Sequence, residues 1–363
     1  MNAAAAPGSG PGATTETTDP TDGNPGVFDP RPWGPAAATG VGSMPGTDVR
    51  ETARMVLETL PALPFLPELP ARGPGADMIG RTIGLLPDLH ARVEPSGWRI
   101  ADRPGRDSRR AGDRLSEDLD TLEEFTQGWS GALKVAVVGP WTLAATLERR
   151  NGEAMVGDHG ARRDLVAALA EAAIDLVATV RRRVPGAKPV LQLDEPSLVS
   201  VLRGRVPTAS GYRTHRAVDR QEVEEGLRRA IDSVGVPVVV HSCAPEVPFA
   251  LLRRAGAHGV SFDLSLLTER EYDAVAESVE ASTTLFTGVL PGDGVDPGAL
   301  SDPGATVMGV RSLWRGPGLS PALLPESVVV TPACGLAGAS PAYARAALAH
   351  CVRAARSLAD NPE

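Results

Sequence analysis

DRQEVEEGLRRAIDSVGVPVVVHSC, residues 219–243, gives the clearest indication of the fold class. Its first part repeats apolar residues at spacings of three and four, the period of a helix with one buried face. These residues are Val223, Leu227, Ile231 and Val234. After Pro237 the pattern changes to a run of valines that ends in polar residues, which is typical of a buried parallel strand. A helix that leads into such a strand is one unit of a parallel α/β sheet.

The same unit recurs along the chain, where eight candidate strands alternate with helical patterns such as that of 158–183. The strands are predicted at 37–43, 63–67, 133–138, 189–193, 237–241, 259–263, 284–288 and 327–331. We interpret the longer stretch 85–131 as an insertion, with a small hairpin near 97–100 and a helix near 115–127. Eight strands with intervening helices predict a (β/α)8 TIM barrel, a single α/β domain over 36–360.

The N-terminal residues have a different composition from the rest of the chain. Residues 1–35 are dominated by Ala, Gly, Pro, Thr and Asp, and such a segment buries too little apolar surface to offset the entropy lost on ordering. This predicts a disordered tail over 1–35. The tail shows neither the basic region nor the apolar run of a secretory signal.

Charge and cysteine content exclude several classes of partner. The net charge of -9 and the pI near 5.3 give no general attraction for nucleic acid or anionic membranes. Three cysteines are too few for a disulfide scaffold, which favours a reducing compartment. We therefore expect a cytoplasmic protein with no nucleic-acid and no membrane partner. Lysine occurs only at Lys134 and Lys188, and we attribute this scarcity to genome composition.

Polar side chains that could carry chemistry fall at the carboxyl ends of the predicted strands, the end where barrel enzymes place their active sites. In chain order they are Ser43, Glu68, Trp141, Asp194, Glu195, His241, Cys243, Asp263 and Cys334. Because the carboxyl ends of all eight strands meet at one face of a barrel, we expect these side chains to share one rim.

Four of these residues have the chemistry of a zinc site, since zinc prefers imidazole nitrogen and thiolate sulfur in tetrahedral geometry. His241 and Cys243 are two positions apart, so their side chains turn to the same side of an extended segment. Cys334, after the eighth strand, and Asp263, at the end of the sixth, come from the same rim. Spacing alone leaves two interpretations open, a metal site or ordinary buried side chains. We interpret Cys351, in the Ala-rich final helix, as structural.

Four segments, in this order, resemble the catalytic barrel of the cobalamin-independent methionine synthases. They are VGSMPGT at 41–47, LDEP at 193–196, HSC at 241–243 and TPACGL at 331–336. The resemblance covers roughly residues 36–355 of the chain. In that family the HxC pair, a carboxylate farther along and the cysteine of PxCGL bind zinc. The resemblance therefore implies a zinc cofactor on His241, Cys243, Asp263 and Cys334.

The resemblance also implies methyl transfer to homocysteine, giving methionine, as in methionine biosynthesis. It assigns the segment of Ser43 to the homocysteine carboxylate, and Glu68 and Asp194 to its ammonium group. Carboxylates suit a cationic amine, and backbone N–H groups suit an anion. Trp141, after the third strand, is placed in the same pocket. Two buried carboxylates are costly unless a cation meets them, which favours an amine-bearing substrate.

The chain departs from the family at two points. Full-length members carry an additional N-terminal barrel that helps to hold a folate polyglutamate, and a single predicted barrel lacks it. We therefore expect a smaller or protein-borne methyl donor, with a corrinoid protein as a candidate partner. In the family, a histidine after the seventh strand serves as an acid. The corresponding segment here, LPGDG at 290–294, contains no histidine. Asp293 is the candidate for that catalytic acid.

Two alternative functions remain open from the sequence. An alkyltransferase acting on another thiol, such as a coenzyme-M-like acceptor, needs zinc but no ammonium pocket. A non-catalytic zinc-binding barrel would hold its metal in a closed site, in which no ligand can be exchanged for a substrate. A zinc hydrolase is disfavoured, because two thiolates reduce the Lewis acidity of the metal.

Overall fold

The structure is a computed structural model that describes Met1 and residues 28–300 and 302–362. Two strands form an antiparallel hairpin, and six form one parallel sheet in chain order. The hairpin consists of β1 (His90–Glu94) and β2 (Gly97–Ala101). The parallel strands are β3 (Gly131–Val138), β4 (Ala187–Asp194), β5 (Val238–Ser242), β6 (Gly259–Asp263), β7 (Thr284–Leu290) and β8 (Val328–Pro332). The last six predicted strands and the hairpin are thereby confirmed.

Two extended segments, 36–43 and 63–68, close the sheet into a ring. They take the places of the first two predicted strands but make only isolated bridges. The bridges join Ala38 to Val330, Ser43 to Glu68 and Phe65 to Lys134. The sequence PALPFLPELP at 61–70 gives the reason for the second segment, because proline has no N–H to donate to a ladder. The predicted TIM barrel is confirmed, with two of its eight strands held by few hydrogen bonds.

Helices cover the outside of the ring. They are α1 (Val49–Thr59), α2 (Met78–Leu85), α3 (Arg106–Phe125), α4 (Pro140–Thr146), α5 (His159–Arg183), α6 (Leu198–Leu202), α7 (Arg220–Asp232), α8 (Phe249–Arg254), α9 (Tyr272–Glu280), α10 (Pro303–Thr306), α11 (Met308–Arg315), α12 (Leu324–Ser327) and α13 (Pro341–Asp360). The helix predicted near 115–127 begins earlier, at Arg106. Throughout the described part of the chain, no helix combines the length and apolar character needed to cross a membrane.

A small apolar cluster fills the amino-terminal end of the barrel, which we call the base. Its members are Trp33, Ala37, Leu63, Ala132, Val190, Val239, Phe286 and Val329. Trp33 packs edge-on against Phe286, with ring centroids 5.3 Å apart. Since Trp33 belongs to the predicted tail, the packed chain begins before the predicted boundary at residue 36. The tail residues 2–27 lie outside the described part of the chain.

Candidate metal centre and substrate pocket

Three side chains meet at the carboxyl-terminal end of the barrel, which we call the rim. His241 lies in β5, Cys243 follows that strand, and Cys334 follows β8. One ligand atom from each lies within 4.8 Å of the other two, and the two sulfur atoms are 3.0 Å apart. Both cysteines are half-buried, so the group faces the rim and not a sealed interior.

The imidazole of His241 is oriented for a ligand. Its Nδ1 lies 2.8 Å from the hydroxyl of Ser261 on the neighbouring strand β6. Its Nε2 is buried and has no hydrogen-bond partner among the described residues. A buried nitrogen normally has a partner, and a metal-binding histidine normally holds its other nitrogen in a second hydrogen bond. The donor set of one imidazole and two sulfurs therefore fits zinc.

The contact between the sulfurs affects both thiols. The hydrogen bond with Cys243, aided by His241, lowers the pKa of Cys334 to about 4. The same contact and burial raise the pKa of Cys243 well above its usual range. The pair therefore releases its first proton readily and holds its second. A divalent cation that binds both sulfurs would favour release of the second proton.

Asp263 lies outside this three-residue group. Its Oδ1 accepts hydrogen bonds from the backbone N–H of Ser265 at 2.8 Å and from the Ser265 hydroxyl at 2.7 Å. The carboxylate thereby caps a short 3-10 helix over Leu264–Leu266. The structure brings together three of the four predicted ligands, and the role of Asp263 as a ligand stays a prediction.

Three of the four residues predicted to bind the amino acid lie near the group of His241, Cys243 and Cys334, which we call the metal group. Ser43 is bridged to Glu68, and its carbonyl accepts from the backbone N–H of Leu336 at 2.7 Å. A side chain at Gly335 would overlap the Ser43 hydroxyl, so this glycine lets Ser43 approach the Cys334 segment. Asp194 ends β4 and is paired in register with His241.

One of the two lysines, which are scarce in this chain, lies in the middle of this site. Lys134 is fully buried in β3 and donates to the carbonyl of Val41 at 2.7 Å and to Oε1 of Gln192 at 2.6 Å. Gln192 Nε2 in turn donates to Asp194 Oδ1 at 2.7 Å. A charged residue inside the apolar run GALKVAVV, residues 131–138, was the available signal, since strands covered on both faces rarely contain one.

The acidic pair already has cationic neighbours. Burial raises the pKa of Glu68 to about 7 and also raises the pKa of Asp194. The main charge that opposes this shift at Glu68 is Arg81, whose Nη1 lies 4.0 Å from Glu68 Oε1. Lys134 lowers the pKa of both acids, while burial lowers its own pKa to about 8. The expectation that the two carboxylates stay unpaired until a substrate cation arrives is therefore corrected.

Trp141 and Glu195 lie beside the pocket but point elsewhere. Trp141 is buried at the start of α4, and its Nε1 donates to the carbonyl of Val223 in α7 at 3.1 Å. Glu195 accepts from the N–H groups of Trp141 and Thr142 at 2.9 and 2.7 Å, which caps α4. Because the indole packs into the helix layer, we leave Trp141 out of the proposed site.

Asp293 lies on the loop after β7 and is exposed. The preceding Gly292 packs beside Cys334, because a Cβ added to this glycine would lie 3.6 Å from the Cβ of Cys334. The loop is therefore next to the metal group, and the role of Asp293 as an acid stays a prediction.

The chain matches the family described as "Cobalamin-independent synthase, Catalytic domain" over residues 36–357. Two solved structures share the fold. A B12-independent methionine synthase from Shewanella sp. W3-18-1, in complex with selenomethionine, is 12% identical with a TM-score of 0.57, over 90% of this chain and 98% of that one. A methyltransferase from Methanosarcina mazei is 14% identical with a TM-score of 0.55, over 92% and 95% of the two chains. None of the curated proteins matches the chain.

Proposed function

The chain belongs to the cobalamin-independent synthase family, by its catalytic domain, and we propose that it transfers a methyl group to the thiol of homocysteine. One observation carries the proposal. The group of His241, Cys243 and Cys334 lies at the same rim as Asp194 and Glu68. A site for a soft metal beside a site for an ammonium group suits an amino acid that carries a thiol.

We propose that zinc is held by His241, Cys243 and Cys334, with Asp263 as a weak fourth ligand. Zinc bound there would keep the substrate sulfur as a thiolate, the nucleophilic form of a thiol. Ser261 would keep the His241 ring in the orientation that leaves Nε2 free. Asp263 would have to leave its hydrogen bonds to Ser265, which makes it the ligand most easily exchanged.

The remaining pocket residues would orient the amino acid. Glu68 and Asp194 would accept hydrogen bonds from the substrate ammonium group, and the backbone around Ser43 would donate to its carboxylate. The pKa of Glu68 near 7 means that this acid is partly protonated before substrate binds at neutral pH. An arriving ammonium group favours the ionised form, so amine binding and loss of that proton are coupled.

We propose that the methyl donor is a corrinoid, free or protein-borne, and not a folate polyglutamate. The support comes from the sequence. The segment after β7, LPGDG at 290–294, lacks the histidine that serves as an acid in the family. Asp293, on a loop next to Cys334, is our candidate for the acid in its place.

The test is methionine formation by the purified, zinc-loaded protein from homocysteine and a ¹³C-methyl donor. Methylcobalamin, a methylated corrinoid protein and methyltetrahydrofolate triglutamate would be compared. We expect labelled methionine from a corrinoid donor, and we expect Asp194→Ala to weaken homocysteine binding while zinc stays bound. Equal methylation of thiols without an amine would contradict the acceptor, and efficient turnover with the folate would contradict the donor.

A further inference from the structure

Lys134 occupies a position that packing alone does not explain. The side chain is fully buried in β3, and no carboxylate forms a direct ion pair with it among the described residues. Removing an ammonium group from water is expensive, and an apolar residue of similar volume often replaces a buried charge without loss of stability. The ammonium group therefore points to a task other than filling the barrel.

The hydrogen bonds of Lys134 decide how the neighbouring amide of Gln192 is turned. An ammonium group can only donate, so the atom of Gln192 that it meets at 2.6 Å must be the amide oxygen. The amide NH2 is then left to donate to the carbonyl of Val41 at 2.8 Å and to the carboxylate of Asp194 at 2.7 Å. The chemistry of the donors thus fixes an orientation that amide groups otherwise leave open.

We propose that Lys134 is a positioning residue for the amine-binding side of the pocket. Through Gln192 it holds the Asp194 carboxylate in place. Without the ammonium group, the amide of Gln192 can turn its oxygen toward Asp194, where two acceptors repel each other. This inference rests on the proposed function, because it names the group that prepares Asp194 for the substrate ammonium.

Substrate selectivity gives the first test, with Lys134→Met and, as a second variant, Gln192→Met. Binding of homocysteine and of 4-mercaptobutanoate, which lacks the amine, would be measured by calorimetry on the zinc-loaded protein. We expect the Kd for homocysteine to rise on the order of tenfold in both variants, because a charge-assisted hydrogen bond loses its support. We expect the Kd for 4-mercaptobutanoate to stay within about twofold.

The matched control is Lys188→Met, at the other lysine, which is exposed at the start of β4. It should leave both dissociation constants unchanged. In the two test variants zinc content should stay at one per chain, and KM for homocysteine should rise more than kcat falls. An unchanged affinity for homocysteine in both variants, or equal weakening of the two thiols, would overturn the proposal. If Lys134→Met does not fold, Gln192→Met decides.

A measurement without substrate separates this proposal from the function. With ¹³C-labelled lysine the protein gives only two sets of side-chain signals, from Lys134 and Lys188. Asp194→Asn removes a negative charge next to Lys134, so the Lys134 signal should titrate at lower pH than in the parent protein, while the Lys188 signal stays. If the Lys134 titration shifts in this way but the protein does not bind homocysteine, the proposed function is refuted and the positioning role is not. A Lys134 signal unaffected by Asp194→Asn would refute the positioning role.

Discussion

The base and the rim of the barrel are built from the same strands and have opposite characters. In β4, Val190 belongs to the apolar base, whereas Gln192 and Asp194 belong to the polar rim. In β5, Val239 lies at the base and His241 lies at the rim. Since alternate residues of a strand point the same way, two positions along the chain are enough to change from packing to chemistry.

Stability and activity therefore depend on opposite ends of the barrel. At the base, close contacts among apolar side chains stabilise the fold. At the rim, a desolvation cost falls on buried carboxylates, on an ammonium group and on an imidazole nitrogen that has no partner among the described residues. We expect substitutions at the base to change the free energy of unfolding, and substitutions at the rim to change ligand binding.

The largest effect is expected at the cysteines of the rim. Cys243→Ser and Cys334→Ser should each remove zinc from the purified protein and reduce methyl transfer to background, because serine is a poor zinc ligand. Metal analysis by mass spectrometry measures this directly. Cys351→Ala is the matched control, since Cys351 is buried in α13 away from the group, and it should keep its zinc. Full zinc occupancy in both serine variants would disprove the metal site.

At the base, Phe286→Ala should lower the free energy of unfolding by about 3–5 kcal/mol, because it leaves a cavity beside Trp33. Denaturant unfolding of the zinc-loaded protein measures the change. Asp194→Asn at the rim should change the free energy of unfolding by less than about 1 kcal/mol. The variant loses an interaction of the carboxylate, but it also loses the cost of burying a charge. The contrast between base and rim fails if the rim variant is destabilised as much as the base variant.

A smaller effect is expected from the hydrogen bond behind His241. Ser261→Ala should weaken zinc binding about 10–100-fold, because the imidazole ring loses the partner that orients it. Competition with a fluorescent chelator gives the affinity. Ser278→Ala is the control, since this buried serine donates to the carbonyl of Ala274 within α9. Equal zinc affinity in the two variants would show that the ring needs no such support.

The smallest effect concerns pH. Burial raises the pKa of Glu195, like that of Glu68, from the ordinary 4.5 to about 7. The folded state thus binds more protons than the unfolded state between these values, so its stability should fall as pH rises from 4.5 to 7 and then level off. Glu195→Gln should reduce this slope in denaturant titrations, and Glu58→Gln, at an exposed site in α1, should not. An identical slope in both variants would contradict the burial argument.

The sequence predicts well that three of the four candidate ligands meet at the rim, because residue type and strand position together point to them. His241, Cys243 and Cys334 are side chains with few other reasons to gather at strand ends. The barrel was likewise predictable from the alternation of strands and helices. The sparse hydrogen bonding of the second extended segment was not, because the prolines of 61–70 keep the path of a strand while removing its donors.

The residues that support the site were harder to predict, because their roles depend on contacts between neighbouring strands and helices. Lys134 meets Gln192 only because β3 and β4 are paired in register, with Lys134 opposite Val190. Arg81 reaches the pocket from α2, a helix with no motif of its own. Trp141 points into the helix layer because Pro140 begins a helix directly after β3.

X-ray absorption at the zinc edge, with and without homocysteine, would show directly whether the substrate thiol binds the metal at this rim. We expect a first shell of two sulfurs, one nitrogen and one oxygen in the resting protein. Addition of homocysteine should replace the oxygen by a third sulfur, because the substrate thiol takes the place of Asp263. A first shell that stays unchanged at saturating homocysteine would contradict the claim that this rim binds and activates the substrate thiol.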